Sequence, residues 1–388
     1  MDAVPLKILQ TCFSHSWGGL ELQALEVSKQ LQSRDHHLWL ACCRGSRLQE
    51  EAMNERISTL PFEVSGYVHP VVIWQLSRII KQKMIDIIHC QLSRDISTIV
   101  PAMKMSLKTI PILLSKRVGS YLQKNDLLHR LTYSHVSRVL AISTVIHRNV
   151  LETTPMPPDR VLTMHDAIDT ELFSPARVDR RRARQEFGFS DDSIVIGFVG
   201  RFSPGKGHEE FLAAADMLRK KRENLHFLIV GEASFGEQQY EHRVKSMSHS
   251  LGLDNVVRFV GFRKDIPEVM ASFDVFAFPS HAESFGIVLI EAMAMERPVV
   301  STNCDGVLDI VVNGETGLYV RPRSPIELAN ALTRLVDDPS LREKLGKAGR
   351  KRVEQFFDQK KQIQKLEDLY YQLLGTLTPQ AEMPSASA

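Results

Sequence analysis

Long apolar runs are absent from this 388-residue sequence. A membrane-spanning helix needs about 18 consecutive apolar residues, and the sequence contains no such run. The chain also opens without a basic segment and a cleavable apolar stretch, because an apolar run already starts at Leu6. From these two absences we expect a protein that is neither secreted nor membrane-spanning, and we expect it in the cytoplasm.

Cysteine is scarce. The five cysteines are odd in number and show no Cys-x-x-Cys pair, which excludes the pattern of a disulfide framework and that of a zinc site. We therefore expect reduced thiols, as in the cytosol, and no metal site.

Neither basic nor acidic residues predominate in the sequence. The 48 Lys and Arg residues nearly balance the 46 Asp and Glu residues, for a net charge of +2, so we expect no nucleic-acid partner. Hydrophobic residues make up 43% and charged residues 24%, a balance typical of globular proteins. A chain of 388 residues exceeds what one hydrophobic core usually organises, so we expect two domains with a cleft that suits an enzyme.

Short apolar runs alternate with longer amphipathic segments along the chain. This alternation predicts βαβ units and a parallel, doubly wound sheet in each half of an α/β protein. The strand-like runs lie at 6–13, 38–42, 85–89, 110–114 and 139–142 in the first half, and at 194–199, 227–230, 256–260, 275–278 and 298–301 in the second half.

The pattern breaks at Phe173-Ser174-Pro175, and a stretch rich in arginine follows. We place the domain boundary there, which gives an N-terminal domain over 1–173 and a C-terminal domain over 174–358. A last helical segment, 359–375, exceeds what the second sheet needs and is predicted to pack back on the first domain. Residues 376–388 are small and polar without periodicity, and predict a disordered tail.

A glycine-rich loop follows the most apolar strand, from Gly200 to His208. Its glycines let the backbone approach an anion, and Arg201 and Lys206 can neutralise a diphosphate at a helix N-terminus. The spacing also fits a Walker A loop, but Gly207 lacks the hydroxyl that such a loop needs for magnesium. A surface turn with solvated basic side chains is the remaining alternative.

Two glutamates follow the strand at 275–278. Glu283 lies in the turn at the carboxyl end of the strand, where open sheets bind ligands, and Glu291 lies in the next helix. Carboxylates at these places can accept hydrogen bonds from sugar and ribose hydroxyls. The simpler interpretation of an isolated pair needs no ligand: one glutamate is favoured at a helix N-terminus by the helix dipole, and the other is an unrelated exposed residue.

Taken together, these motifs resemble the retaining GT-B glycosyltransferases of family four. The resemblance is strong over 190–322 and weaker in the first half, where Trp17-Gly18-Gly19-Leu20-Glu21 is similar to that family's N-terminal glycine loop. The residues that carry it, in order, are Gly200-Arg201, Lys206-Gly207, Gly231-Glu232, Gly261-Phe262, Pro279-Ser280, and Glu283 with seven residues before Glu291.

The resemblance implies two Rossmann-like domains that face a central cleft, retention of anomeric configuration, no cofactor and no obligatory metal. It implies that a nucleoside-diphosphate sugar of the UDP or GDP type is the donor and that Arg201, Lys206 and Glu283 are catalytic. The implied donor-binding residues are Gly18, Gly19, Gly200, Arg201, Lys206, Gly231, Glu232, Phe262, Arg263, Glu283, Ser284, Phe285, Gly286, Ile287 and Glu291.

The sequence departs from the family pattern at three places. Ser115-Lys116-Arg117 stands where the family usually has a histidine, and Asp166-Ala167 replaces the common Asn-Gly before the interdomain linker. Near the donor, Gly306-Val307 with Asp309 replaces the usual Gly-Gly and Glu. These changes affect the donor details, and Arg117 becomes a candidate contact to sugar or phosphate.

Candidate acceptor-binding residues are His89, Arg117 and His15, each with a structural alternative. His281 is preferred among the loop histidines because it lies two residues before Glu283, although loop packing explains it equally well.

The segment 96–125 contains no acidic residue and interleaves lysines with apolar side chains. It is a candidate for peripheral contact with the inner face of the cytoplasmic membrane, and a buried strand with a solvated lysine rim is the alternative.

We therefore predict a retaining, metal-independent glycosyltransferase that acts on a saccharide or lipid-linked acceptor, in the synthesis of a bacterial surface polysaccharide, lipopolysaccharide or glycolipid. Two alternatives stay open: a nucleotide-sugar-binding or regulatory protein with weak turnover, and an epimerase or phosphorylase of the same architecture.

Overall fold

The computed structural model describes residues 4–64, 66, 69–220, 222–234 and 236–376. They divide into two compact units: unit 1 holds the chain up to Asp166 together with the segment from Lys360, and unit 2 holds Ala167–Gln359. Most of the predicted tail, 377–388, lies outside the described residues.

The division of the chain falls at Asp166, ahead of the predicted boundary at 173. Backbone hydrogen bonds explain this difference, because Ile168 donates to Phe357 O and Gln359 donates to Ile168 O. Arg350 also donates to Phe173 O at 3.0 Å. Residues 167–173 are therefore held by the end of unit 2.

Unit 1 contains a seven-stranded parallel sheet with the order β3-β2-β1-β4-β5-β6-β7. The central strands are buried on both faces, which explains their nearly continuous apolar sequences. The strands are β1 (Lys7–Cys12), β2 (His37–Cys43), β3 (Ser58–Phe62), β4 (Ile87–Cys90), β5 (Ile112–Lys116), β6 (Arg138–Ala141) and β7 (Val161–Thr163). The helices are α1 (Gly19–Ser33), α2 (Arg47–Asn54), α3 (Pro70–Lys83), α4 (Ile96–Met105), α5 (Leu127–Tyr133) and α6 (Thr144–Thr153).

Unit 2 contains a six-stranded parallel sheet with the order β10-β9-β8-β11-β12-β13. Its strands are β8 (Ile194–Val199), β9 (Leu225–Val230), β10 (Val257–Phe259), β11 (Val275–Phe278), β12 (Val299–Thr302) and β13 (Gly317–Val320). Its helices are α7 (Arg180–Glu186), α8 (His208–Arg219), α9 (Gln238–Ser250), α10 (Ile266–Ser272), α11 (Ile287–Ala294), α12 (Val307–Ile310), α13 (Pro325–Asp337) and α14 (Pro339–Phe356).

Sequence signals at the helix ends account for several of these bounds. Ser324 accepts a hydrogen bond from the Glu327 amide at the start of α13, and Pro325 occupies the first helical position. A residue without an N–H is tolerated there because that N–H would have no partner inside the helix. Asp338 and Pro339 begin α14 in the same way.

The last helix, α15 (Gln359–Leu373), belongs with unit 1 from Lys360 onward. Ile363, Leu366 and Tyr370 join the apolar cluster formed by β1, β2 and α1. The ring of His36 also contacts the Glu367 carboxylate of α15, at 2.7 Å. Unit 1 is thus built from both ends of the described chain.

The two predicted sheets and the α/β class are confirmed. The segment 96–125 is not one continuous surface, however, because Met103 of α4 and Ile110, just before β5, are buried in the core. Met105, Leu107 and Leu122 are exposed. Among the described residues, no helix is long and apolar enough to cross a membrane.

Candidate functional site

The strand order of unit 2 reverses at β8, whose neighbours are β9 and β11. Chain connections leave β8 and β11 in opposite directions, so a crevice opens at the carboxyl ends of these two strands. The predicted phosphate loop follows β8, and the predicted Glu283 turn follows β11. The topology therefore brings both sequence motifs to one edge of one sheet.

Two glycines allow the loops at this edge to pack closely. Gly207 has φ +85°, and a Cβ built there would lie 2.1 Å from Pro279 O. Gly231 has φ +143°, and its Cβ would lie 2.0 Å from Gly200 O. A side chain at either position would push the loops apart, which explains why the motif needs glycine.

Lys206 and Glu283 meet at the centre of this edge. The Lys206 Nζ lies 2.5 Å from Glu283 Oε2, and the two side chains are 28% and 18% exposed. The Glu283 backbone is held as well, because Gly306 N donates to Glu283 O at 2.9 Å. An ammonium has three donors, so Lys206 retains two for an anion while it holds the carboxylate in place.

Two helix N-termini point at the same region. The N-cap of α8 is Gly207 and that of α11 is Gly286, and neither provides a side-chain cap. Uncapped first-turn amides and the helix dipole favour a bound anion. Together with Lys206, these groups can hold a diphosphate.

Burial raises the pKa of Glu291, on α11, to about 7. In the part of the chain that the structure describes, no group hydrogen-bonds to its carboxylate. A half-buried carboxylate without a partner can accept a hydrogen bond from a hydroxyl-bearing ligand.

Other predicted donor residues are engaged locally. Arg201 is about half exposed, and its Nε lies 3.5 Å from Glu237 Oε2. The Arg263 guanidinium is paired with Asp265 and also with Glu186 at 2.7 Å. Two carboxylates thus already neutralise Arg263, which argues against the predicted donor contact.

The remaining predicted donor positions lie in the loops that follow β8, β9, β10 and β11. Gly200 N donates to Val230 O, and Phe202 N donates to the backbone oxygen of Glu232. Phe262 is exposed. Ser284 and Phe285 precede the Gly286 cap of α11, which begins at Ile287.

His281 connects the two loops of the site. Its backbone N–H donates to Gly205 O at 2.7 Å, and its Nε2 lies 2.8 Å from Glu210 Oε1 on α8. Glu210 was not recognised from the sequence, because only the packing of α8 against the β11 loop brings it to His281. Both contacts are what loop packing predicts for this histidine.

In unit 1 the strand order reverses at β1, and the predicted glycine loop follows that strand. Gly18 caps α1, and Ser14 Oγ donates to the buried Glu21 carboxylate at 2.5 Å. Space is open at Gly19, since no described atom lies within 4 Å of an added Cβ. His15 is exposed on this loop.

Asp95 organises the start of the glycine loop, and sequence reasoning missed it. Its Oδ2 accepts hydrogen bonds from Thr11 Oγ1 at 2.9 Å and from Phe13 N at 3.4 Å, while Arg94 donates to Phe13 O. Burial raises the pKa of Asp95 to about 7. The position of Asp95 after β4, the other strand at this reversal, is the signal that identifies it.

The structure corrects the predicted role of His89. The side chain is 1% exposed, and its ring nitrogens lie 2.7 Å from Tyr370 Oη and 2.8 Å from Ser115 Oγ. Burial and the charge of Arg117 lower the pKa of His89 to about 3. The ring therefore has no nitrogen left for an acceptor and is structural.

Arg117 is also buried inside unit 1, where it pairs with Asp166 and donates to Gln91 Oε1 at 2.5 Å. Its guanidinium is thus held by unit 1 itself, which argues against the predicted contact to sugar or phosphate. Among the described residues, no group of three or more His, Cys, Asp and Glu side chains is arranged to hold a metal ion.

A model of a known protein family matches each half of the chain. The model of Glycosyltransferase Family 4 matches residues 17–172, and that of Glycosyl transferases group 1 matches residues 179–352. The two matches meet near the division between the two units and together cover most of the chain.

Curated relatives agree with these matches. The chain is 30% identical over 250 residues to the capsular polysaccharide biosynthesis glycosyltransferase CapM of Staphylococcus aureus, which covers 63% of this chain and 64% of CapM. It is 35% identical over 195 residues to a D-inositol 3-phosphate glycosyltransferase of Corynebacterium efficiens, over 49% of this chain and 46% of the relative. The chain thus spans about half to two thirds of the length of the curated relatives that it matches.

Solved structures share the fold. A glycosyltransferase from Rickettsia africae superimposes with a TM-score of 0.86 at 22% identity, over 96% of this chain and 99% of the other. Anabaena HepE in complex with UDP-glucose superimposes with a TM-score of 0.81 at 23% identity, over 96% of this chain and 100% of the other. At such identities the likeness establishes the architecture, which is GT-B.

Proposed function

Because the chain belongs to the group 1 glycosyltransferases, we propose that it transfers a sugar from a nucleoside-diphosphate sugar to a saccharide or lipid-linked acceptor. The observation that carries the proposal is the Lys206–Glu283 pair at the strand reversal of unit 2, beside two uncapped helix N-termini. The Lys206 ammonium and the helix N-terminal amides can bind the diphosphate, and the Glu283 carboxylate can accept a hydrogen bond from a sugar hydroxyl.

We favour UDP over GDP as the nucleotide of the donor. The support is the fold shared with Anabaena HepE, which was solved with UDP and with UDP-glucose. Glu291, with its unpartnered carboxylate, is proposed to hold the ribose. The likeness to CapM, whose name gives capsular polysaccharide biosynthesis, supports a role in surface polysaccharide synthesis.

The proposed reaction retains the anomeric configuration by front-side displacement. The bond between the anomeric carbon and the diphosphate oxygen breaks, the acceptor oxygen bonds to the same face of that carbon, and the acceptor proton passes to the leaving phosphate oxygen. Lys206, Arg201 and the helix N-termini would stabilise the charge that develops on the diphosphate without a metal ion. Lys206 also holds Glu283, which favours a sugar-positioning carboxylate over a nucleophile.

Thermal unfolding with UDP, GDP, ADP and CMP, each with and without EDTA, tests the donor site. A ligand at about 100 times its Kd stabilises by about 2.7 kcal/mol, so one nucleoside diphosphate should raise the melting temperature and keep its effect in EDTA. Lys206→Ala should lose this response, whereas Lys220→Ala, a 63% exposed lysine after α8, should keep it. Absence of any response would contradict the donor site, and a response that needs a divalent metal would contradict metal independence.

Product analysis separates the two alternatives from transfer. A protein that binds the nucleotide sugar but never releases the nucleoside diphosphate in the presence of acceptors would be a binding or regulatory protein. A changed sugar, or a sugar phosphate, formed without added acceptor would indicate an epimerase or a phosphorylase.

A further inference from the structure

The loop that follows β12, residues 303–306, lies beside the Glu283 turn. In the sheet order of unit 2, β11 has β8 on one side and β12 on the other, so the loops after these three strands lie in a row at the carboxyl edge. The phosphate loop follows β8, and the Glu283 turn follows β11. A sugar held by Glu283, with its diphosphate at the phosphate loop, therefore has the loop after β12 as its other neighbour.

Short contacts hold this loop against the Glu283 turn. Asp305 Oδ2 accepts a hydrogen bond from Glu283 N at 3.3 Å, and Gly306 N donates to Glu283 O at 2.9 Å. A Cβ built on Gly306 would lie 2.2 Å from Ser284 O, so the two segments are in direct contact. The Asp305 carboxylate is thus fixed next to the residue that is proposed to position the sugar.

The backbone of Asp305 is strained. Its φ is +41°, in the left-handed region that glycine occupies at lower cost than a residue with a side chain. Such strain is typical of functional sites, where the surrounding structure holds a side chain in place. The conformation therefore indicates that the Asp305 carboxylate, and not only the shape of the loop, matters at this position.

The charges beside the sugar do not balance. Lys206 pairs with Glu283, whereas the exposed Asp305 forms no ion pair with any described residue. Burial raises the pKa of the neighbouring Cys304 thiol, the charges of Asp305 and Glu283 raise it further, and the charge of Lys206 lowers it. All three charged side chains thus surround one place, where two carboxylates and one ammonium leave a net negative charge.

A negative charge at this place discriminates between sugars of nearly the same size and shape. A hexose and the matching uronic acid differ only at carbon 6, which carries a neutral hydroxymethyl group in the hexose and a carboxylate in the uronic acid. Repulsion between like charges rejects the wrong ligand without any contact to the right one.

We propose that Asp305 makes the donor site selective for nucleotide sugars without a carboxylate, because its charge repels uronic acid donors. This inference rests on the proposed transferase function, which places the sugar at Glu283. It adds the class of donor sugar and the residue that determines it.

Titration calorimetry with two matched pairs of donors measures the selectivity: UDP-glucose with UDP-glucuronate, and UDP-galactose with UDP-galacturonate. In the pair whose neutral member binds more tightly, the Kd of the neutral donor should be at least about tenfold lower than that of the uronic acid donor. Equal affinities within that pair would overturn the proposal.

Asp305→Asn tests the residue itself, because asparagine keeps an oxygen that can accept from Glu283 N and loses only the charge. The variant should bind the uronic acid donor about tenfold more tightly than the parent does, and its Kd for UDP, which lacks the sugar, should change by less than about twofold. A purely structural role of Asp305 predicts instead a parallel change for all ligands. Either a parallel change or an unchanged preference for the neutral donor would contradict the proposal.

Glu296→Gln is the matched control. Glu296 is also an acid in the left-handed region, with φ +57°, but it lies between α11 and β12 and therefore at the opposite edge of the same sheet. This variant should keep the selectivity of the parent. Salt gives a second readout, because about 1 M NaCl screens exposed charges and should reduce the preference of the parent for the neutral donor.

Binding of UDP alone separates this proposal from the proposed function. Binding of UDP without selectivity between the sugars would overturn the role of Asp305 and leave the transferase proposal intact. If GDP binds in place of UDP, the same comparison uses GDP-mannose and GDP-mannuronate. Absence of binding by both nucleotides would contradict the donor site and, with it, the selectivity.

Discussion

Arg117 and Asp166 form an ion pair inside unit 1, with Arg117 Nε 3.1 Å from both carboxylate oxygens. The two positions are also two of the places where the sequence departs from the family pattern. One departure supplies a buried cation, and the other supplies the anion that neutralises it. The departures are therefore coupled, and together they leave no unpaired charge at this point.

Removal of one member of this pair should be costly, because the side chains are only 8% and 11% exposed. Arg117→Met or Asp166→Leu alone should lower the free energy of unfolding by about 3–5 kcal/mol, and the double variant should lose less than the sum. Urea unfolding measures these values. Arg181→Met, which breaks the exposed pair with Asp191, is the control and should cost less than about 1 kcal/mol. Additive losses from the two buried positions would show that the pair is not coupled.

Tyr370→Phe should destabilise unit 1, because it leaves a buried His89 nitrogen without its partner at 2.7 Å. The expected loss is about 1–3 kcal/mol. Tyr371→Phe, which removes a bond to the carbonyl of the exposed Val4, is the matched control and should cost about 1 kcal/mol or less. Equal losses of unfolding free energy for the two variants would mean that the hydrogen bond to His89 stabilises the protein no more than the bond to Val4 does.

Gly207→Ala should strain the backbone and should also disrupt the donor site, because the added methyl group collides with the neighbouring loop. Gly236 has almost the same φ, +88° against +85°, but an added Cβ there meets no described atom within 4 Å. Both alanine variants should lose about 1–2 kcal/mol from positive φ, and only Gly207→Ala should lose more and lose UDP stabilisation. If both variants keep the UDP response, close packing of the two loops is not needed for binding.

Glu291→Gln should make stability less dependent on pH. The pKa of Glu291 is about 7 in the folded protein and about 4.3 for a free glutamate. The ionised carboxylate therefore begins to destabilise the folded state as the pH rises above about 4.3, and the full destabilisation is reached above pH 7. The advantage of the glutamine variant should grow by about 2 kcal/mol between pH 5.5 and pH 8.

Urea unfolding at the two pH values measures the effect of Glu291→Gln, with the exposed Glu268→Gln as the control. UDP affinity of the parent should rise over the same pH range, because the carboxylate is the form that accepts ribose hydrogen bonds. A pH-independent difference between parent and Glu291→Gln would contradict the raised pKa.

The sequence predicts the central strands well and three of the four edge strands poorly. Three strands without a clear signal, β3, β7 and β13, all lie at sheet edges. An edge strand is covered on fewer sides, so it needs no continuous apolar run, and β3 even contains Pro61. Strand periodicity therefore identifies the interior of a sheet better than its limits.

Motifs predicted that Lys206 and Glu283 share a site, because both follow strands at one reversal of the sheet order. Partners such as Glu210 and Asp166 could not be predicted in the same way. Each contacts its partner across a long stretch of sequence, and only the packing of separate elements brings the side chains together. The prediction for His89 was wrong for the same reason, since its partner Tyr370 is 281 residues away.

The dependence of unit 1 on α15 also sets an order of events during synthesis. At about 5–20 residues per second, a ribosome needs roughly 15–55 seconds to reach Tyr370 after it has made His89, which lies 281 residues earlier. Throughout that interval the apolar face that Ile363 and Leu366 later cover has no partner from α15. All of unit 2 is translated within it, so nascent unit 1 keeps this apolar face uncovered until the last helix leaves the ribosome.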